Sequence, residues 1–298
     1  MANIASIDLQ QYIGKSVGNV TLVKLLGRGA MGAIFIGYQA TLKRQVAVKI
    51  LPKTLAGSER AQQMFRDEAE TVGILNHPNI VPVFEMGETS DVFFQVMQLV
   101  VGHDLRTLLF RTRKHPVPTK RLLPLQETMH YITQVLDALG YAHEEGVCHR
   151  DIKPANILID ERFKRPLVAD FGIARTVWAE YDSNPMLLGT PLYMSPEQAS
   201  CGSIDGRADI YSVGVMLMEM TAGPLPVRTE PAVEMMKRKR NAPDTFFTAR
   251  PSEINPALDQ ELEAVILRAT AADPEERFAN CPEFNRALEA YARTRGLR

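Results

Sequence analysis

Asp151, Lys153, Asn156 and Asp170 are the residues of this sequence whose types and spacing are best suited to chemistry. They stand in two runs, His149-Arg150-Asp151-Ile152-Lys153-Pro154-Ala155-Asn156 and Asp170-Phe171-Gly172. The chemistry is phosphoryl transfer. Its loose transition state spreads charge over the moving oxygens, so a protein must mainly position the reactants and neutralise charge with metal ions and fixed cations. Magnesium, with Mn2+ as the alternative, takes hard oxygen donors, which the Asn156 carbonyl and the Asp170 carboxylate supply. Asp151 is the carboxylate to accept the proton of an acceptor hydroxyl, and Lys153 in the same loop reaches the transferring phosphate. Any one of these residues alone would pass for an ordinary surface or core feature. The eight-residue run would not.

Other elements must bring a nucleotide to that loop. Gly27, Gly29 and Gly32 follow a G-x-G-x-x-G pattern that also occurs in dinucleotide-binding folds, where it joins a strand to a helix. Here Val20 to Leu26 alternates as a strand does, and Ala33 to Gln39 is a second apolar run with no helix cap between. A hairpin is expected, with glycines that let backbone amides approach phosphates; a plain Gly-rich turn is the bland alternative. Lys49 ends the apolar strand Val46-Ala47-Val48-Lys49. The segment from Ser58 to Leu75 has a helical pattern and carries Glu68 on a face shared with Val72, so Glu68 is the expected partner of the Lys49 ammonium. Glu70, rotated by about 200° around the helix, is the alternative.

These motifs, in this order, identify the chain as similar to the Hanks-type protein kinases, bacterial serine/threonine branch, over roughly residues 18 to 294. Gly189-Thr190-Pro191-Leu192-Tyr193-Met194-Ser195-Pro196-Glu197, Asp209-Ile210-Tyr211-Ser212-Val213-Gly214-Val215 and Asp273-Pro274-Glu275-Glu276-Arg277-Phe278 add to the resemblance. It implies an α+β bilobal fold: a small antiparallel β lobe with one helix over 18–97, a hinge at 98–102, and a larger, mainly helical lobe over 103–294. Residues 1–17 and 295–298 are expected to be tails. It further implies that ATP lies in the crevice between the lobes, that Glu197 pairs with Arg277, and that Asp209 holds the His149–Asn156 loop from a long central helix.

The resemblance also assigns the nucleotide contacts. Met97 falls at the gatekeeper position, and the backbone of Gln98 and Val100 would bond the adenine edge. Ile34, Ala47 and Leu158 would sandwich the ring, although core packing explains Ile34 and Leu158 nearly as well. Asp104 would accept from a ribose hydroxyl, and Leu26, Gly27, Gly29 and Gly32 would cover the phosphates beside Lys49. His149, Phe171, Val72 and Val83 would stack as a column. Lys153 and Thr190 point to Ser/Thr rather than Tyr acceptors. Ser195 stands where relatives usually carry alanine, and Gln98 where a glutamate is common.

Regulation is expected between Asp170 and Glu197. Arg150 calls for an anionic partner, which a phosphate on Ser183 or Thr176 would supply. Glu180 and Asp182 are fixed carboxylates able to take that role, and a simple mobile loop is the bland reading. Protein substrates bearing Ser or Thr are the expected partners, with a homodimer for trans-autophosphorylation.

Composition agrees with this. The 298 residues are 45% hydrophobic and 23% charged with a net charge of −1, which recruits neither nucleic acid nor acidic lipid. Two basic clusters, Arg111 to Arg121 and Lys237-Arg238-Lys239-Arg240, read as solvated faces or as docking sites for an acidic partner. Cys148, Cys201 and Cys281 show no metal spacing and fit a reducing cytosol; Cys148 reads as a small buried hydrophobe. No signal peptide is visible, and the most apolar stretch, Ile210 to Ala222, is too short for a bilayer and carries Glu219. A cytoplasmic location is expected, as a free protein or as the domain of a longer membrane-anchored one. Two rivals remain: a pseudokinase, against which Lys49, Glu68, Asp151, Asn156 and Asp170 are all present, and a small-molecule kinase, against which stand Lys153 and the Gly189-to-Glu197 segment.

Overall fold

A computed structural model describes residues 8–28, 32–55, 73–171, 191–200 and 202–297, in two compact units that divide between Val101 and Gly102. The first unit is built on a six-stranded antiparallel sheet. Its strands are β1 (Ser16–Val17), β2 (Val20–Arg28), β3 (Ala33–Gln39), β4 (Arg44–Pro52), β5 (Val83–Glu88) and β6 (Val92–Met97), ordered β1-β2-β3-β4-β6-β5. Strand side chains alternate between faces. Val20, Leu22, Phe35, Val46, Val48, Ile50, Phe94 and Val96 accordingly form one continuous core on one face.

That core begins before the expected lobe boundary. Leu9 and Tyr12, on a 3-10 turn capped by the Asp8 carboxylate, and Val17 on β1 are buried in it, with the Tyr12 and Phe35 rings edge to face at 6.5 Å. Residues 9–17 are therefore part of the folded unit rather than a tail. An amphipathic stretch of polar residues with only three well-placed apolar side chains hid this from composition. The expected helix over 58–75 lies, up to residue 72, outside the described residues.

The second unit opens with β7 (Gly102–Asp104), which forms a small sheet with β8 (Ile157–Asp160) and β9 (Pro166–Val168) in the order β7-β8-β9. Its helices are α1 (Leu105–Arg113), α2 (Leu125–Glu144), α3 (Pro196–Ala199), α4 (Arg207–Ala222), α5 (Ala232–Asn241), α6 (Pro251–Ile254), α7 (Gln260–Ala269) and α8 (Cys281–Thr294). From Ala208 to Ala222 every side chain of α4 is buried, which marks it as the central helix. It packs against α2 and α7, while α8 covers α2. Among the described residues, no helix is long and apolar enough to cross a membrane.

Candidate active site

The His149–Asn156 loop hangs from one buried carboxylate. Asp209, in the first turn of α4 and 1% exposed, accepts the backbone N–H of His149 on Oδ2 and that of Arg150 on Oδ1, each at 2.8 Å. Its Oδ2 also meets His143 Nε2 of α2 at 2.8 Å. Burial alone would raise the Asp209 carboxyl, but the His143 hydrogen bond and charge and the His149 contacts outweigh it and hold it below the usual carboxylate range. The anchored backbone is bent: Arg150 has φ 62° and Asp170 φ 58°, the left-handed region that costs an L residue about 1–2 kcal/mol. Gln198 Nε2 holds the Arg150 carbonyl at 2.8 Å from the other side.

His149 completes the loop from within. It is fully buried, and its Nε2 lies 3.0 Å from the Ala169 carbonyl, which only accepts, so Nε2 carries the proton. Nδ1 is then a bare acceptor, and the Asp151 N–H donates to it at 3.2 Å. The ring also packs on Phe171, with centroids 4.7 Å apart, as the expected column requires; Val83 sits on β5 and Val72 lies outside the described residues.

On this frame Asp151, Lys153 and Asn156 converge. Lys153 Nζ donates to Asp151 Oδ2 at 2.7 Å, and Asn156 Nδ2 donates to the same oxygen at 3.2 Å and to the Asp151 carbonyl at 2.8 Å. The Asn156 nitrogen is thereby committed to Asp151, which leaves Oδ1 as the amide's donor to a hard cation. Asp170, the second expected cation ligand, follows the Ala169 whose N–H bonds the Asn156 carbonyl at 2.9 Å. This oxygen-only pair, one neutral and one anionic, fits magnesium. Leu158 on β8 pairs with Asp104 on β7. Asp104 has a role the sequence reading missed: its Oδ1 caps α1 through the Thr107 N–H at 2.6 Å.

The segment expected to hold a peptide is tied down by charge. Arg277 is 2% exposed and spends all five N–H donors: two on Glu197 at 2.8 and 2.9 Å, and one each on the carbonyls of Ala271, Ala272 and Arg207. Ser195 caps α3 in a reciprocal box with Gln198, a gain an alanine there could not provide. Tyr193 Oη donates to Glu219 Oε2 at 2.5 Å, and Arg113 meets Glu219 Oε1 at 2.7 Å. Burial, followed by the Glu219 charge and hydrogen bond, pushes the Tyr193 hydroxyl far up. The sequence reading used Glu219 only to argue against a membrane span. A charge inside the most apolar helix already called for a partner.

The basic clusters resolve into local contacts. Lys237 pairs with Glu234, Arg238 grips Glu230 with two nitrogens, and Lys239 is buried. In the first cluster Arg113 belongs to Glu219, and Lys114 lies over the Phe110 ring. The Cys148 thiol is pushed up to about 11 by burial and the Asp209 charge, which makes it an inert side chain.

In the first unit, the expected nucleotide contacts share one sheet face. Register pairs Gly27 with Ile34, Ile34 with Lys49, Lys49 with Gln95 and Ala47 with Met97, all on the face opposite the core. Leu26, next to the core-facing Leu25, is 49% exposed. Gly32 must be glycine on packing grounds, since a Cβ there would stand 2.3 Å from the Ile50 carbonyl oxygen. The Gln98 N–H bonds the Pro82 carbonyl, and Val100 follows it, half-buried. Gly29, Glu68, Thr176, Ser183 and Thr190 lie outside the described residues.

Comparison with known proteins agrees with this geometry. The family model of the protein kinase domain matches residues 20–289, and the chain belongs to that family. It is 36% identical to serine/threonine-protein kinase pkn3 of Myxococcus xanthus over 97% of this chain and 53% of that protein. It is 35% identical to PrkC of Bacillus subtilis over 89% of this chain and 39% of that protein. The crystal structure of the Mycobacterium tuberculosis PknI kinase domain superposes with a TM-score of 0.75 at 30% identity, covering 94% of this chain and 98% of that one. The fold is thus the protein kinase fold, an antiparallel β lobe and a helical lobe. The chain spans about half or less of the length of these full-length relatives.

Proposed function

We propose that the chain is an ATP- and magnesium-dependent kinase that transfers the γ-phosphate of ATP to Ser or Thr hydroxyls of proteins, itself included, in bacterial signal transduction. The observation that carries this reading is the Asp151–Lys153–Asn156 triangle, closed by hydrogen bonds of 2.7 to 3.2 Å and suspended from Asp209. Asp151 accepts the acceptor hydroxyl's proton, with its Oδ2 held between a lysine and an amide so that the carboxylate cannot swing away. Lys153 supplies positive charge beside the reacting oxygens. Asn156 Oδ1 and Asp170 would hold magnesium, which would supply charge neutralisation for the phosphate oxygens.

In the same reading, Lys49 binds the nucleotide phosphates with Glu68 as its partner. Leu26, Gly27, Gly29, Gly32, Ile34, Ala47, Met97, Asp104 and Leu158 are the further nucleotide contacts. Gln98 and Val100 read the adenine edge through backbone groups. Arg150 receives a phosphate placed on Ser183 or Thr176, and Thr190 orders the acceptor. Dimerisation for trans-autophosphorylation and a cytoplasmic site of action complete the proposal.

The test is radiolabelled transfer from Mg-ATP to the protein itself and to myelin basic protein. Label on serine and threonine that disappears in Asp170→Asn and in Lys49→Ala is the expected result. ATP binding without transfer by the unaltered chain would overturn the reading.

A further inference from the structure

Lys239 is the one fully buried lysine among the described residues, near the C-terminus of α5 and four positions after Met235, the helix's other buried residue. Its Nζ donates to the carbonyl of Leu192 at 2.9 Å and to that of Met194, and approaches Tyr211 Oη at 3.4 Å. The Phe246 ring centroid lies 4.0 Å from it and that of Tyr211 4.8 Å. Taking an ammonium out of water is expensive, and a core that needed only volume would be served by leucine or methionine. Burial, with the Arg277 charge added, pushes this amine well below the ordinary lysine range.

What the ammonium adds is direction. Residues 192–194 belong to no helix or strand, so their carbonyls have no ladder to bond into. Lys239 gathers those of Leu192 and Met194 to one point, and Ser212 Oγ of α4 donates to that of Tyr193 at 2.7 Å. Tyr193 is left facing Glu219. Every backbone acceptor of this strip is therefore fixed by a side chain from α4 or α5.

We propose that Lys239 is a positioning residue for the acceptor peptide, setting the shape of the 192–194 strip that follows Thr190. The proposal rests on the protein kinase reading above. The groups that Lys239 Nζ meets, the carbonyls of Leu192 and Met194 and the Tyr211 hydroxyl, are none of those assigned above to ATP or to the reacting atoms, so its removal separates peptide binding from nucleotide chemistry.

The experiment measures KM for myelin basic protein, KM for ATP and ATP hydrolysis to water in the unaltered chain, in Lys239→Met and in Lys239→Gln, with melting curves for each. Methionine keeps the stem and the aromatic contacts while deleting the donor; glutamine restores a donor. The expected result is a rise of about tenfold in KM for the protein acceptor in the Met variant, partial recovery in Gln, and ATP KM and hydrolysis within about twofold of the unaltered chain. An unchanged acceptor KM in a folded Met variant would overturn the proposal. So would a fall in kcat with both KM values unchanged, or loss of cooperative melting in both variants, since each assigns the lysine to the core alone. Absence of transfer by the unaltered chain would instead overturn the kinase reading, and this proposal with it.

Discussion

The two units present their candidate site residues by different physical means. In the first, Ile34, Ala47, Lys49 and Met97 reach a common face because strands alternate, and the same strands bury Phe35, Val46, Val48 and Val96 on the other. In the second, Asp151, Lys153 and Asn156 sit on a loop whose one regular piece is the 3-10 turn Pro154–Asn156, held by Asp209, His149 and Gln198. One arrangement is secured by a period and the other by buried polar groups. The first tolerates exchange of side chains of similar shape, whereas the second depends on individual atoms.

The difference is sharpest where a single partner is removed. Arg277→Met leaves the Glu197 carboxylate without its guanidinium, and a loss of about 3–5 kcal/mol in urea unfolding is expected. The double variant with Glu197→Gln should lose less than the sum of the singles; strict additivity would mean that the pair is not coupled. In the first unit the contrast runs between faces. Ile50→Ala on the core face should cost about 2–5 kcal/mol. Ile34→Ala on the opposite face should cost less than half of that, with its main effect on KM for ATP; equal losses of stability would erase the distinction. Tyr193→Phe removes one hydrogen bond to a carboxylate, worth about 1.5–3 kcal/mol, with little change in KM for ATP.

The smallest expected signal is a pH dependence. Asp209 has a folded pKa below its unfolded one, so the unfolded chain binds more protons and stability rises with pH through that interval. The contribution is complete above the unfolded value of about 3.9 and disappears as pH falls through the lower folded value. Urea midpoints of the unaltered chain and Asp209→Asn should therefore converge toward acid and run parallel above pH of about 5. Convergence toward alkaline pH would contradict the hydrogen-bonding account.

What could be read in advance follows the same division. Strands β2 and β3 and the part of β4 from Val46 to Lys49 were legible because hydrophobic period and turn residues are local. The convergence of Asp151 and Asn156 on one loop and the Glu197–Arg277 pair were legible through the motif run and the family resemblance. The roles of His143, Gln198 and Glu219 were not, since their partners are 66, 48 and 26 positions away and no local pattern marks the pairing. Lys239 was misread as part of a solvated basic run. Its spacing of four from Met235 was the overlooked clue, because it places the lysine on the buried stripe of α5. Leu9 and Tyr12 escaped notice because a short irregular segment has no period to detect.

The saturated guanidinium also has a consequence for the order of synthesis. Glu197 leaves the ribosome 80 residues ahead of Arg277, and the carbonyls of Ala271 and Ala272 that share that side chain emerge only just before it. At about 5–20 residues per second, the growing chain carries an unmatched carboxylate at the start of α3 for about 4–16 s. The second unit thus acquires this buried cation only 80 residues after the carboxylate it matches, and fragments that stop short of residue 277 should be prone to capture by chaperones or proteases.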